Sequence, residues 1–137
     1  MKKLLIIGQD SYIAKAFIRH NTDFLCLGTS RRKGDSCIFM DLSEEINLEA
    51  IPDVDAALLC ASVTSIIECE RNIETSRKVN VLNSSLLVRH LAEKGVFTLV
   101  LSSNQVFDGR EAYHAENDPL SPLTAYGRQK AELENFC

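Results

Sequence analysis

Five short apolar runs alternate along the chain with segments of helical periodicity, and this alternation limits the possible folds more than any other feature. The runs cover residues 4–7, 24–27, 37–40, 56–61 and 97–101. Continuous apolar runs of this length are typical of strands that are buried on both faces. Strands that alternate with helices form βαβ units, whose right-handed crossovers favour the sheet order 3-2-1-4-5. The sequence therefore predicts an α/β fold with a doubly wound, Rossmann-like parallel sheet.

Three helices are predicted from apolar residues at helical spacing. The first covers residues 11–20, the second residues 74–94, and the last opens at Ser121 and continues through Phe136. Gly95 follows the second helix at the position of a left-handed C-cap.

The composition is that of one globular domain covering residues 1–137, with 45% hydrophobic residues and a formal net charge of −4. Disordered chains combine low hydrophobicity with high net charge, and nucleic acids and anionic membranes select clustered Lys and Arg, so the sequence disfavours these classes. The apolar run that follows Met1 is too short for a signal peptide, and no stretch is long enough to span a membrane. The five cysteines lack Cys-x-x-Cys spacing, so we interpret them as reduced thiols of a cytoplasmic protein and predict no metal site.

The first strand ends in a turn that is compatible with a dinucleotide site. Such a site needs a tight turn and a helix N-terminus directed at a pyrophosphate. Gly8, Ser11 and Ala14 occupy the three small positions of a degenerate Gly-x-x-Gly-x-x-Gly pattern, and Tyr12 and Ile13 are predicted to contribute to the same site. Two observations leave an ordinary strand-to-helix turn open: only one glycine is present, and Asp10 would repel a phosphate unless it points away or caps the helix.

The second strand end is where this fold distinguishes NAD from NADP. An acid there binds the ribose 2′-hydroxyl, whereas Arg accommodates a 2′-phosphate. Ser30 and Arg31 follow the strand, and no acid occurs before Asp35. The sequence therefore favours NADP(H) over NAD(H), with a basic surface turn as the alternative.

The third and fourth strand ends are less specific. Asp41 and Leu42 are predicted to hold an adenine amine and its face, although Asp41 would serve equally well as a helix N-cap. Ala61 and Ser62 are small enough to let a cofactor pass over the sheet.

A serine pair and a tyrosine–lysine pair carry the catalytic prediction. Ser102 and Ser103 close the fifth strand, and Tyr126 and Lys130 lie one turn apart on the last helix, so they share one face. A nearby ammonium is predicted to lower the pKa of the tyrosine from its ordinary value near ~10. Such a tyrosine can exchange a proton with a carbonyl or alcohol oxygen, and a serine hydroxyl can hold the same oxygen. An isolated Tyr-x-x-x-Lys is usually a surface pair. Here the pair follows five βα repeats and a Ser-Ser strand end, and this position favours the catalytic interpretation.

Taken together, these motifs resemble those of a known superfamily. The chain resembles the extended short-chain dehydrogenases/reductases, and within them the dTDP-4-dehydrorhamnose reductase group of nucleotide-sugar enzymes. The resemblance spans the whole chain and is carried by LLIIG at residues 4–8, Cys69-Glu70, Asn80-Val81, LSSNQVFDG at 101–109 and PLSPLTAYGRQK at 119–130.

The resemblance implies roles for individual residues. It makes Ser103 the catalytic hydroxyl, Tyr126 the proton donor and Lys130 both the group that tunes Tyr126 and a ribose contact, while Asn80 braces the crossover near the site. The implied reaction is the NAD(P)H-dependent reduction of a 4-keto sugar carried on a nucleotide. Neutral Asn104 and Gln105 favour a reductase over the epimerases and dehydratases of the superfamily, because dehydratases usually place acidic residues there.

Proteins of this group are about twice as long as this chain. We therefore expect residues 1–137 to lack the later strands and the region that grips the sugar, which would leave an apolar sheet edge at residues 97–101. The chain is then either a truncated form of an enzyme that is inactive alone, or a short protein that pairs with a second chain, such as a homodimer. A non-catalytic binding or regulatory module with the same fold is the alternative from another class.

Overall fold

The computed structural model describes residues 1–34 and 36–137, so Asp35, the first acid after the second strand, lies outside the described residues. Five parallel strands form one sheet in the order β3-β2-β1-β4-β5, which confirms the predicted topology. The strands are β1 (Lys2–Ile7), β2 (Phe24–Ser30), β3 (Ile38–Phe39), β4 (Ala56–Leu59) and β5 (Phe97–Val100).

Helices cover both faces of this sheet. They are α1 (Tyr12–His20), α2 (Ile66–Arg71), α3 (Ile73–Arg77), α4 (Ser84–Glu93) and α5 (Ala125–Phe136), with a π-helical segment at Lys78–Asn83. Short 3₁₀ turns occupy Leu48–Ala50 and Asn104–Val106.

The central strand β1 is apolar throughout its second half because it contributes to two cores. Leu5 and Ile7 point into the larger core, together with Leu87, Leu91 and Leu133. Leu4 and Ile6 point to the other face and pack against Ala14 of α1. Successive side chains of a strand alternate between faces, so only a strand that is covered twice reads as a continuous apolar run.

The last strand in the order, β5, forms an edge with an exposed apolar surface. Phe97 and Leu99 are 72% and 51% exposed. They pair with Ala56 and Leu58, which places them on the sheet face that α1 covers further along. The apolar edge expected from the sequence is therefore present.

Two helix boundaries differ from the predictions. The single helix predicted over residues 74–94 is divided by the π-helical segment, which is buried at Asn80 and Val81. The last helix begins at Ala125 and not at Ser121, because the hydroxyl of Thr124 caps it by accepting the Gly127 amide at 3.0 Å. The short helix α2 was not predicted.

Within the described part of the chain, no helix combines the length and the apolar character needed to cross a membrane.

The turn after β1 approaches the end of β4 so closely at Gly8 that only a glycine fits there without strain. Its φ is +86°, and a Cβ there would lie 2.8 Å from the Cα and the amide nitrogen of Ala61. Gly95 has a similar φ of +71° but faces open space. We expect Gly95→Ala to lower the free energy of unfolding by about 1 kcal/mol for the left-handed backbone alone, and Gly8→Ala by about 3 kcal/mol, because a backbone clash is added. Urea denaturation of both variants measures the difference, and equal losses would contradict the close approach.

Candidate active site

The turn between β1 and α1 is fixed to the end of β2. The Gly8 amide donates to the Oγ1 of Thr29 at 3.1 Å, and the Gln9 amide donates to the carbonyl of Thr29 at 2.9 Å. Ser11 is the N-cap of α1, and its hydroxyl accepts the amide of Ala14 at 3.1 Å. The turn therefore has the fixed geometry and the directed helix N-terminus that an anion site requires.

A cleft of about 600 Å³ opens where β1, β2 and β4 end. It is lined by eight of the eleven residues that were predicted to bind a cofactor, which are Gly8, Ser11, Ser30, Arg31, Asp41, Leu42, Ala61 and Ser62. Their positions are far apart in the sequence, and the parallel sheet brings them together because the carboxyl ends of its strands share one edge.

The other three predicted cofactor residues do not line this cleft. Tyr12 and Ile13 are 90% and 55% exposed and do not line the cleft. The Lys130 ammonium lines a separate crevice of about 230 Å³ beside Ser102 and Glu134.

Sequence reasoning missed several residues that line the cleft. Thr29, Ser43, Glu68 and Thr75 are among them. The place of Thr29 directly after Gly28 at the end of the second strand was a usable signal, whereas Glu68 and Thr75 reach the cleft only because α2 and α3 pack against it.

Asp41 forms a local turn and does not cap a helix. Its Oδ1 accepts the amide and the hydroxyl of Ser43 at 2.9 Å and 2.7 Å. These hydrogen bonds, with a smaller contribution from the positive charge of Arg31, hold the pKa of Asp41 below its ordinary value. Asp41 is therefore an ionised acceptor at the rim of the cleft at neutral pH.

Ser103, Tyr126 and Lys130 converge beyond the end of β5. The Tyr126 phenol is close enough to Ser103 for that hydroxyl to stabilise its ionised form. The Lys130 ammonium lies 5.9 Å from the centre of the Tyr126 ring and donates to the carbonyl of Leu101 at 3.0 Å. Tyr126 belongs to a small apolar cluster with Cys69 and Ala125, against which Val63 packs, and Val63 also lines the large cleft. This cluster thus packs the helix of Tyr126 against one wall of the cleft.

The pKa of Tyr126 departs from the prediction. Burial raises it above the ordinary value, and the hydroxyl of Ser103 offsets this only in part. Burial also lowers the pKa of Lys130. The predicted lowering of the Tyr126 pKa by the ammonium is therefore wrong for this structure, because both groups are desolvated and the ammonium lies over the ring face, bonded to Leu101.

The N-terminus of α5, which carries Tyr126, is fixed by contacts with two other elements. Glu70 accepts the amide of Ala125 at 2.6 Å. Gly127 lies so close to the turn after β5 that a Cβ would come within 2.1 Å of the Gln105 carbonyl oxygen. Only glycine permits this approach, which brings Tyr126 to Ser103.

A buried amide network joins the cleft to α5. The Oδ1 of Asn80 accepts the Ser62 hydroxyl at 2.9 Å and the Val63 amide at 2.7 Å. Its Nδ2 donates to the Val63 carbonyl at 2.9 Å and to the Oε1 of Gln129 at 2.8 Å. Gln129 in turn donates to the hydroxyl of Ser76 at 2.8 Å. Asn80 therefore has the bracing position that the resemblance implied, and the π-helical segment carries it there.

Gln129 was not predicted as a site residue. The signal was present, because an amide between Tyr126 and Lys130 on a buried helix needs partners, but the sequence does not reveal which partners it finds.

The fold and the site define a Rossmann-like α/β protein with a tyrosine–lysine pair at the carboxyl edge of its sheet. The family described as RmlD substrate binding domain matches residues 1–137, and the chain belongs to this family.

Two curated relatives are similar over almost the whole chain. Methionine adenosyltransferase 2 subunit beta of Danio rerio is 35% identical over 97% of this chain and 42% of its own length. The dTDP-4-dehydrorhamnose reductase of Sinorhizobium fredii is 30% identical over 96% of this chain and 44% of its own length. The chain therefore spans less than half the length of these relatives.

Solved structures show the same fold. MoeE5 in complex with UDP-glucose and NAD superposes with a TM-score of 0.85 at 20% identity, over 98% of this chain and 47% of that one. Other structures of similar fold hold NADP or NADPH.

The buried network predicts the effect of removing Gln129. In Gln129→Ala, Asn80 and Ser76 each lose a partner while they remain buried. We expect the free energy of unfolding to fall by about 2 kcal/mol, since unsatisfied buried polar groups are costly. Asn135→Ala, which removes an exposed amide from the same helix, is the matched control and should change it by less than about 0.5 kcal/mol. Chemical denaturation compares the two, and similar losses would contradict the network.

The lowered pKa of Lys130 predicts a pH dependence. The unfolded chain keeps the ordinary amine pKa of about 10.4, so between the lowered folded value and that value the unfolded state binds more protons. Stability therefore rises with pH in this alkaline window. We expect the unfolding free energy of the wild type to rise relative to Lys130→Met as the pH increases from neutral to about 10. Exposed Lys94, changed to Met, is the control, and a parallel pH profile for Lys130→Met would contradict the burial.

Proposed function

We propose that the chain binds a nicotinamide dinucleotide in the cleft of about 600 Å³ and supplies the proton donor for the reduction of a nucleotide-linked keto sugar. The observation that carries this proposal is the convergence of Ser103, Tyr126 and Lys130 at the carboxyl edge of the same sheet whose other strand ends form a cleft lined by eight predicted cofactor residues.

The residues around the cleft suit the chemistry of a dinucleotide. The amides in the first turn of α1, including those of Tyr12 and Ile13, are available for a pyrophosphate because a helix leaves its first N–H groups without internal partners. Ala61 and Ser62 are small and let the dinucleotide lie over the sheet. Asp41 and Leu42 present an acceptor and an apolar surface for the adenine.

The basic side chains at the end of β2 support the preferred cofactor. Arg31 lines the cleft, and a guanidinium there favours a 2′-phosphate. We therefore propose NADP(H) as the preferred cofactor, with NAD(H) as the other one accepted.

Each of the three converging residues has a separate role in the proposed reduction. The bound cofactor supplies the hydride for the keto carbon. Tyr126 is protonated, since burial raises its pKa, and it donates its proton to the keto oxygen as the alcohol forms. The Ser103 hydroxyl donates a hydrogen bond to the same oxygen. Lys130 uses one of its three N–H donors on Leu101, and its two others would serve a ribose hydroxyl where the bound cofactor extends from the cleft to the separate crevice that Lys130 lines.

The substrate class comes from the relatives. The Sinorhizobium fredii relative is named a dTDP-4-dehydrorhamnose reductase, and MoeE5 was solved with UDP-glucose. We therefore propose a 4-keto sugar on a nucleoside diphosphate, as in polysaccharide biosynthesis, with residues 1–137 contributing the cofactor-binding and proton-donating half of the site. The five free cysteines support a cytoplasmic location.

A non-catalytic subunit is the second candidate. The observation that favours it is the 35% identity to a protein named as a subunit of methionine adenosyltransferase. In this case the protein would act by association with another chain, whether or not a cofactor binds in the cleft.

Tyr126→Phe tests the catalytic proposal. Removing the phenol hydroxyl takes away the proton donor, so we expect turnover of a dTDP-4-keto sugar to fall by at least about 100-fold, while NADPH binding is retained. Turnover is measured by NADPH absorbance with protein isolated from its native organism. Binding is measured by NADPH fluorescence. Tyr113→Phe, at a fully exposed tyrosine, is the control. Undiminished turnover in Tyr126→Phe would remove the mechanism, and a wild type that binds no NADPH at millimolar concentration would favour the non-catalytic subunit.

A further inference from the structure

A carboxylate reaches the end of β2 from the neighbouring turn. Asp10 lies in the turn after β1, and its carboxylate accepts a hydrogen bond from the hydroxyl of Ser30, the last residue of β2. Ser30 is 3% exposed, and its Oγ also accepts the amide of Arg32 at 3.0 Å. Both Asp10 and Ser30 line the large cleft.

The hydrogen bonds of Ser30 decide what it can offer a ligand. A serine hydroxyl has one proton to donate, and in this structure Asp10 receives it. Ser30 therefore cannot donate to a phosphate while Asp10 stays in place, contrary to its predicted role as a phosphate ligand beside Arg31. A phosphate at this point would have to displace Asp10 or accept its repulsion.

The same carboxylate suits a ribose diol. An ionised carboxylate only accepts hydrogen bonds and has several lone pairs, so Asp10 can accept from a ribose 2′-hydroxyl while it still holds Ser30. In this fold the acid that does so ordinarily follows the second strand. Here Ser30 stands at that position, and the acid comes from the turn after β1.

Two positive side chains oppose the effect of Asp10, because they favour a 2′-phosphate. Arg31 and Arg32 line the same cleft and are exposed, so they attract a 2′-phosphate. The adenosine end of the cleft thus combines one acid that disfavours the phosphate with two guanidinium groups that favour it.

We propose that Asp10, held by Ser30, is a specificity-determining residue that weakens the preference for NADP(H) set by Arg31 and Arg32 and so lets the chain accept NAD(H) as well. This inference rests on the proposed cofactor site, and it adds which residue sets the discrimination and in which direction.

Separate titrations with NADH and NADPH, followed by cofactor fluorescence at one fixed ionic strength, test this proposal. Asp10→Asn keeps the shape of the side chain and removes its charge. We expect the ratio of the dissociation constants, NADH over NADPH, to rise at least about tenfold, because a charge-assisted interaction is lost for the ribose and a repulsion is removed for the phosphate. In Arg31→Ala the same ratio should fall.

Two further variants keep the test decisive. Asp23→Asn removes the same charge from the opposite end of β2 and should leave the ratio within twofold of the wild type. Asp10→Ala repeats the test if Asp10→Asn fails to fold, which circular dichroism detects.

The outcomes separate this inference from the function on which it rests. If the wild type binds neither cofactor, the proposed cofactor site is wrong. If both cofactors bind and neither Asp10 variant changes the ratio, the site stands and the role of Asp10 is wrong. A ratio that falls in Asp10→Asn would also overturn the role.

Discussion

The arrangement of the site depends on one buried amide, Asn80. Its four short hydrogen bonds reach the wall of the cleft at Ser62 and Val63 and the helix of Tyr126 through Gln129. A network of this kind is stable only when every member is satisfied, because an unpaired amide in the interior costs more than the hydrogen bond itself contributes. The same side chain therefore fixes where the cleft lies relative to the phenol. The proposed reduction needs a hydride donor and a proton donor at adjacent atoms, so it depends on a fixed distance between the cleft and the phenol.

Burial of Tyr126 and Lys130 has a cost in stability and a use in chemistry. It raises the pKa of the phenol and lowers that of the amine, which favours the neutral form of each. A neutral phenol is the state that the proposed reduction requires, since the keto oxygen would have to receive a proton. The amine, bonded to Leu101 and lying over the ring, is an expensive group to bury and contributes nothing to the apolar core.

Periodicity and strand ends were sufficient to predict the sheet order and to select eight residues that line one cleft, because each of these depends on local pattern and on a topology rule. What could not be predicted depends on contacts between distant segments. The division of the helix at residues 78–83 follows from the partners of Asn80, the pKa of Tyr126 follows from burial, and the commitment of Ser30 to Asp10 follows from how two turns meet. None of these is visible in spacing, since the same residues in another register would find other partners.

The turn after β1 keeps the geometry of a glycine-rich turn although only one of the three small positions of the pattern is a glycine. Glycine is needed where the backbone has positive φ or approaches another segment, and Gly8 meets both conditions against Ala61. Ser11 has an ordinary φ of −65° and uses its hydroxyl to cap α1. Ala14 is fully buried against Leu4 and Ile6, so a glycine there would leave a gap in the smaller core. The two substituted positions thus gain a cap and a packing contact, and the turn keeps the single glycine that its conformation requires.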